Sequence, residues 1–205
     1  MKILFILGNG FDLNVGLKTG YHSFYEYYIK QPSPAECVER MKNAIKYGKD
    51  ATWADLEEGL GEFSSTCTRE DFLKCLSDIR MELRKYLHSE TDDKNYDGLK
   101  LDDIIHPEAY LEPQQLRNYN LLMTGRRPSK NKVDVISLNY TLTLEDILRL
   151  GLVENGHIFN ASLKNDYVLG QVVHLHGLLD NELNLGVNDV TQIKNNSIID
   201  RDVIE

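Results

Sequence analysis

At 205 residues, with 41% hydrophobic and 27% charged side chains, the chain carries enough apolar material for one sizeable core and is not a disordered polyelectrolyte. Its formal charge of −9, from 32 acidic against 23 basic residues, repels a phosphate backbone on balance and excludes nucleic acid as the expected partner. Three cysteines, Cys37, Cys67 and Cys75, lack CxxC spacing and leave an odd thiol, which reads as reduced intracellular cysteine rather than a disulfide frame or a zinc site.

The chain opens on Ile3-Leu4-Phe5-Ile6-Leu7, an apolar run too short for a secretory h-region and closed at once by glycine. Such a run predicts a strand buried on both faces of a parallel sheet. No later stretch approaches the roughly 20 apolar residues of a membrane span, so no membrane partner is expected and cytoplasm is the expected compartment. Gly8-Asn9-Gly10-Phe11-Asp12 follows, with Gly16 and Thr19 beyond it. The glycines permit a tight turn and close backbone approach, and the N–H groups of a following helix suit a pyrophosphate. The third glycine of the dinucleotide fingerprint is missing from its usual offset, so a strand-to-helix turn without a ligand stays open. Tyr21, Phe24, Tyr25 and Tyr28 share one helical face and read as core.

Residues 31–131 read as helical. Trp53, Leu56, Leu60 and Phe63 recur three and four apart, and Phe72, Leu76, Ile79, Leu83 and Leu87 continue the pattern in a helix opened by Thr68 as N-cap, with Asp71 three positions on. Glu57 and Glu58 read as solvated helix charges, although either is within reach of a site. Glu90 to Asp97 reads as an exposed polar loop, and a further helix is expected over Gln114 to Met123.

A second strand, starting at Val133, is expected beside the first and ends in Asn139-Tyr140-Thr141. Asn139 carries a donor and an acceptor suited to a ribose hydroxyl or a water; equally, it or Thr141 caps a helix running to Leu150. A third strand, Val172 to His176, stops at Gly177, with weaker candidates at His157 to Phe159 and Leu183 to Val187. Of the two histidines in His174-Leu175-His176-Gly177 only one is expected to serve a site, and His176 at the strand end is the candidate; a lone histidine there is also commonly structural. The expected fold is α/β: a parallel-sheet, nucleotide-binding core of residues 1–30 and 132–205, with a helical insertion of residues 31–131 between the first and second strands.

Taken together, Gly8-Asn9-Gly10-Phe11-Asp12-Leu13, Gly16-Leu17, Thr19, Tyr21, Phe24, Trp53-Ala54-Asp55-Leu56-Glu57, Ser137-Leu138-Asn139-Tyr140-Thr141, His174-Leu175-His176-Gly177 and Leu185-Gly186-Val187-Asn188-Asp189 resemble the AbiH family of bacterial phage-abortive-infection proteins over nearly the whole chain. That family in turn looks like a remote branch of the sirtuin-like, Rossmann-like fold. The resemblance implies NAD as substrate or ligand and no metal. It implies that Gly8, Asn9, Gly10, Phe11, Asp12, Gly16, Thr19, Tyr140 and Gly177 bind NAD, that Asn139 holds the nicotinamide ribose and that His176 is the base. The implied function is an antiphage NAD glycohydrolase, idle until a phage-derived trigger or a partner protein acts on it; the alternative is a nucleotide-binding sensor or scaffold without turnover. Three scattered cysteines cannot supply the four thiolates of the sirtuin zinc module, so a protein deacylase is not expected. Family members usually run on to a Gly-His-Ser-type turn, which does not occur before Glu205, so the chain is expected to be a fragment or a short member with part of its site missing.

Overall fold

The computed structural model describes residues 2–45, 52–96, 111–123, 131–150, 157–160, 165–180, 183–185, 193–195 and 198. In chain order the elements are β1 (Lys2–Leu7), α1 (Asn9–Asn14), α2 (Tyr21–Tyr28), α3 (Glu36–Ala44), α4 (Trp53–Phe63), α5 (Arg69–Thr91), α6 (Pro113–Met123), β2 (Asn131–Ser137), α7 (Thr143–Leu150), β3 (His157–Asn160) and β4 (Asn165–His174), with a 3-10 turn at Ser64–Thr66. The protein is mixed α/β, and it divides into two compact units. One comprises residues 1–7, 95–137 and 142–173; the other comprises 8–94, 138–141 and 174–205. Among the described residues no helix is long and apolar enough to cross a membrane.

The first unit carries a four-stranded sheet in the order β1-β2-β4-β3. β1 and β2 pair in parallel with Ile3 opposite Val133 and Phe5 opposite Val135, so the two apolar runs lie side by side as their composition predicts. The sheet is not parallel throughout as expected, since β3 and β4 pair antiparallel, from His157 opposite Val168 to Asn160 opposite Asn165. Burial on both faces does not hold for β1: Leu4 and Ile6 are 57% and 64% exposed, whereas Val133 and Val135 on the other face of β2 are buried. A continuous apolar run marks a strand without saying which of its faces is covered. β4 begins well before Val172 and ends at His174, leaving His176 in the turn beyond it, and its Gly170 lies where a Cβ would collide with the Asp134 carboxylate. The N–H of Gln171 donates to Asp134 Oδ1 at 2.9 Å, and this bond with the neighbouring Lys132 holds that carboxyl below its ordinary range.

The second unit is helical and holds the aromatic core. Tyr21, Phe24, Tyr25 and Tyr28 are buried along one face of α2, as three- and four-residue spacing requires. The Phe24 ring stacks on Tyr28 at 5.5 Å and on Trp53 of α4 at 5.8 Å. Phe72, Cys75, Leu76, Ile79, Leu83 and Leu87 are buried on α5. Thr68 caps this helix, its Oγ1 accepting from the Asp71 N–H at 3.2 Å, and α4 opens on the reciprocal bond of a capping box, with the Thr52 N–H donating to Asp55 Oδ2 at 2.8 Å. α5 runs to Thr91, so the expected loop at Glu90 starts later, and Tyr96 beyond it is buried rather than exposed. α6 spans Pro113–Met123, within a residue of the expected helix. Gly186 to Asp189 lie outside the described residues.

Candidate functional site

The glycine turn is followed by a short helix rather than a long one. α1 has six residues and ends in a glycine-terminated cap: Gly16 adopts φ +86°, its N–H bonds to Leu13 O at 3.1 Å, and the Leu17 N–H reaches Asp12 O at 3.0 Å. This termination turns Asp12 inward, and only 1% of its surface is exposed. A buried carboxylate requires hydrogen-bond partners, and they come from far along the chain. Thr141 Oγ1 donates to Asp12 Oδ2 at 2.8 Å, and Asn139 Nδ2 donates to Asp12 Oδ1 at 3.3 Å and to Gly8 O at 3.2 Å. Helix α7 begins at Thr143, so its N-cap position falls on Leu142 and neither Asn139 nor Thr141 occupies it.

The segment 138–141 is held from other directions as well. His174 Nδ1 lies 2.9 Å from Asn139 O, the Leu179 N–H donates to Tyr140 O at 3.1 Å, and the Tyr140 hydroxyl donates to Asn184 O at 2.9 Å. Thr19 Oγ1 donates to Asn9 Oδ1 at 2.6 Å, joining the chain after α1 to its first residue. His174 is half-buried, not deep in a core, and its ring serves the loop backbone.

These residues surround a cavity of about 190 Å³ within the helical unit. Gly8, Asn9, Asp12, Thr19, Asn139, Tyr140 and His176, all singled out in the sequence, border it. Gly10, Phe11, Gly16 and Gly177 are not in its wall. Gly10 is exposed, the Phe11 N–H closes the turn onto Gly8 O at 2.9 Å, Gly16 terminates α1, and Gly177 at φ +79° makes the turn after His176. The wall also contains Glu57, expected as a solvated charge within reach of a site, and residues whose pattern pointed to packing or capping. Trp53 and Glu57, one turn apart on α4, line it together with Leu87, Leu138, Thr141 and Leu185. The i, i+4 spacing of Trp53 and Glu57 was the available signal, since it places both on one helical face. The His176 and Tyr140 rings lie 6.0 Å apart, and among the described wall residues the formal charges are the carboxylates of Asp12 and Glu57 with no lysine or arginine. Among the described residues no group of three or more His, Cys, Asp or Glu is placed to hold a metal ion.

A mixed α/β protein whose strand-following motifs meet at a small, partly acidic cavity is the class this architecture defines. The chain belongs to the AbiH family: the model of that family, described as bacteriophage abortive infection AbiH, matches residues 4–202. Membership places it among bacteriophage abortive-infection proteins. No curated protein and no solved structure gives a significant match.

Proposed function

We propose that this AbiH protein acts in phage defence as a NAD glycohydrolase, cleaving the bond between nicotinamide and ribose. The observation that carries this reading is the meeting of Gly8, Asn139 and His176, distant in sequence, at one cavity. The cavity, at about 190 Å³, is smaller than the ~300–1,000 Å³ usual for sites that enclose a whole drug-sized ligand, so it suits the nicotinamide–ribose end of the dinucleotide with the adenosine end outside. In this reaction the C1′–N bond breaks, nicotinamide leaves with the electron pair, and water adds to an oxocarbenium-like carbon and loses a proton. Asn139 orients the ribose and His176 takes the proton, imidazole being the side chain best suited to proton transfer near neutral pH. The Glu57 carboxylate favours the positive charge that develops at C1′.

The test is nicotinamide release from NAD by the purified protein, alone and with extract of phage-infected cells. His176→Ala and Asn139→Ala are expected to lower it by ~10²–10⁴-fold without loss of fold. A second reading, a nucleotide-binding sensor or scaffold without turnover, draws support from the internal hydrogen bonds that already engage Asp12 and the Asn139 amide. NAD binding without nicotinamide release, with and without the extract, favours that reading.

A further inference from the structure

The geometry points to Asp12 as a positioning residue that fixes the Asn139 amide so that its oxygen, not its nitrogen, meets the ligand. A side-chain amide has two N–H donors on one side and a carbonyl acceptor on the other. Nδ2 of Asn139 directs its hydrogens to Asp12 Oδ1 at 3.3 Å and to Gly8 O at 3.2 Å. The flipped amide would set its oxygen against both of those oxygens with no hydrogen between them, so the two acceptors decide the orientation. Asp12 is itself held, because Thr141 Oγ1 donates to its other oxygen at 2.8 Å and it is 1% exposed. The contact of His174 Nδ1 with Asn139 O at 2.9 Å fixes the backbone of the same residue.

With both donors so committed, Asn139 meets a ligand as an acceptor. The ligand group it recognises is therefore a hydrogen-bond donor: a hydroxyl, such as those of a ribosyl group, rather than a phosphate oxygen or a carbonyl. This deepens the glycohydrolase reading and rests on it for the identity of the ligand. Asp12 does not touch that ligand through this arrangement; it acts through Asn139.

The experiment is a mutant cycle read by NAD cleavage, with a second readout that needs no turnover. Asp12→Ala is expected to lower kcat by ~10²-fold, the scale of a misplaced catalytic contact, and to change KM much less. Asp12→Asn retains one acceptor for Asn139 and is expected to restore most of the rate. In an Asn139→Ala background Asp12→Ala is expected to cost nothing further, because effects that act through one residue do not add. A full loss in that background overturns the inference while leaving the glycohydrolase reading intact. Independently, ¹⁵N NMR of the full chain reads hydrogen exchange at the Asn139 side-chain amide, expected to be slow beside that of the exposed Asn14. Slow exchange in a protein that cleaves no NAD upholds the positioning and ends the glycohydrolase reading; fast exchange overturns the positioning, as does failure of Asp12→Ala to fold with fast exchange in the wild type.

Discussion

Two buried carboxylates of the helical unit, Asp12 and Asp78, are alike in exposure, at 1% and 6%, and alike in accepting a hydroxyl at 2.8 and 2.7 Å. Their surroundings differ. Asp78 on α5 accepts from Tyr28 on α2, among packed aromatic rings. One turn on, Glu82 accepts from Tyr27 at 3.0 Å and pairs with Lys85 at 2.7 Å. Lys42 sits over the Tyr28 ring at 4.5 Å and donates to Gln31 O at 2.8 Å, while burial lowers its pKa. Asp12 is instead bonded by residues of a loop, Asn139 and Thr141, that border the cavity. A satisfied buried carboxylate joins helices in one place and fixes a candidate binding loop in the other, so burial alone does not tell a structural acid from a functional one.

The sharpest way to break this comparison is Tyr28→Ala. It removes a side chain with 0% exposure, its stacking on Phe24 and the partner of Asp78, and is expected to cost ~3–5 kcal/mol in a urea titration. A cost below ~1 kcal/mol would show the aromatic core to be loosely packed. Tyr28→Phe isolates the hydrogen bond and is expected to cost ~1–3 kcal/mol with NAD cleavage unchanged, whereas Thr141→Val, which strips the corresponding bond from Asp12, is expected to cost a similar amount and also reduce cleavage. Equal effects of the two on cleavage would erase the distinction.

Alkaline pH gives a smaller effect on the Asp78 side. Burial, the Asp78 hydrogen bond and the nearby carboxylates push the Tyr28 phenol well up, burial raises Cys75 strongly, and burial pushes Cys67 up to about 11. In the unfolded chain these groups ionise near 10.0 and 9.0. Their contribution to stability is thus complete below pH 9 and is lost as pH rises through the folded values. Thermal midpoints are expected to fall steadily above that point, and Tyr28→Phe should weaken the fall; a midpoint insensitive to alkali would contradict the burial of these groups. The smallest effect is expected from Lys85→Ala, below ~1 kcal/mol, because the Lys85 end of the pair is 56% exposed and screened by water while Tyr27 still donates to Glu82.

The sequence made most of the helical unit legible because periodicity reports burial directly. The α2 aromatics and the α5 stripe fall on their predicted faces, and the Thr68 cap is where its side chain and Asp71 place it. α3 falls within the stretch read as helical but is not delimited there, since Cys37, Val38 and Met41 are its few buried apolar residues within a polar stretch. In the sheet, the pairing of β1 with β2 follows from two runs of like composition, but the exposure of Leu4 and Ile6 depends on what packs over them, which a run of apolar letters does not encode. At the candidate site the motifs announced their own residues. Trp53 reads as core and Glu57 as a solvated charge within reach of a site, because their spacing is that of any amphipathic helix, and the bonds from Asp12 to Asn139 and Thr141 span more than half the chain, beyond any local pattern.

Gly177 lends the site a vulnerability that its contacts would not suggest. It holds φ at +79°, a backbone state that an L-residue enters at a cost of ~1–2 kcal/mol, and it forms a bridge to Leu183 immediately after His176. The turn, not a side chain, therefore decides where the imidazole is carried. If His176 serves the proposed reaction, then in a genetic screen for lost phage resistance alleles at Gly177 would cluster with those at His176 although Gly177 is not in the cavity wall, and the mutant protein would be recovered folded and abundant but silent.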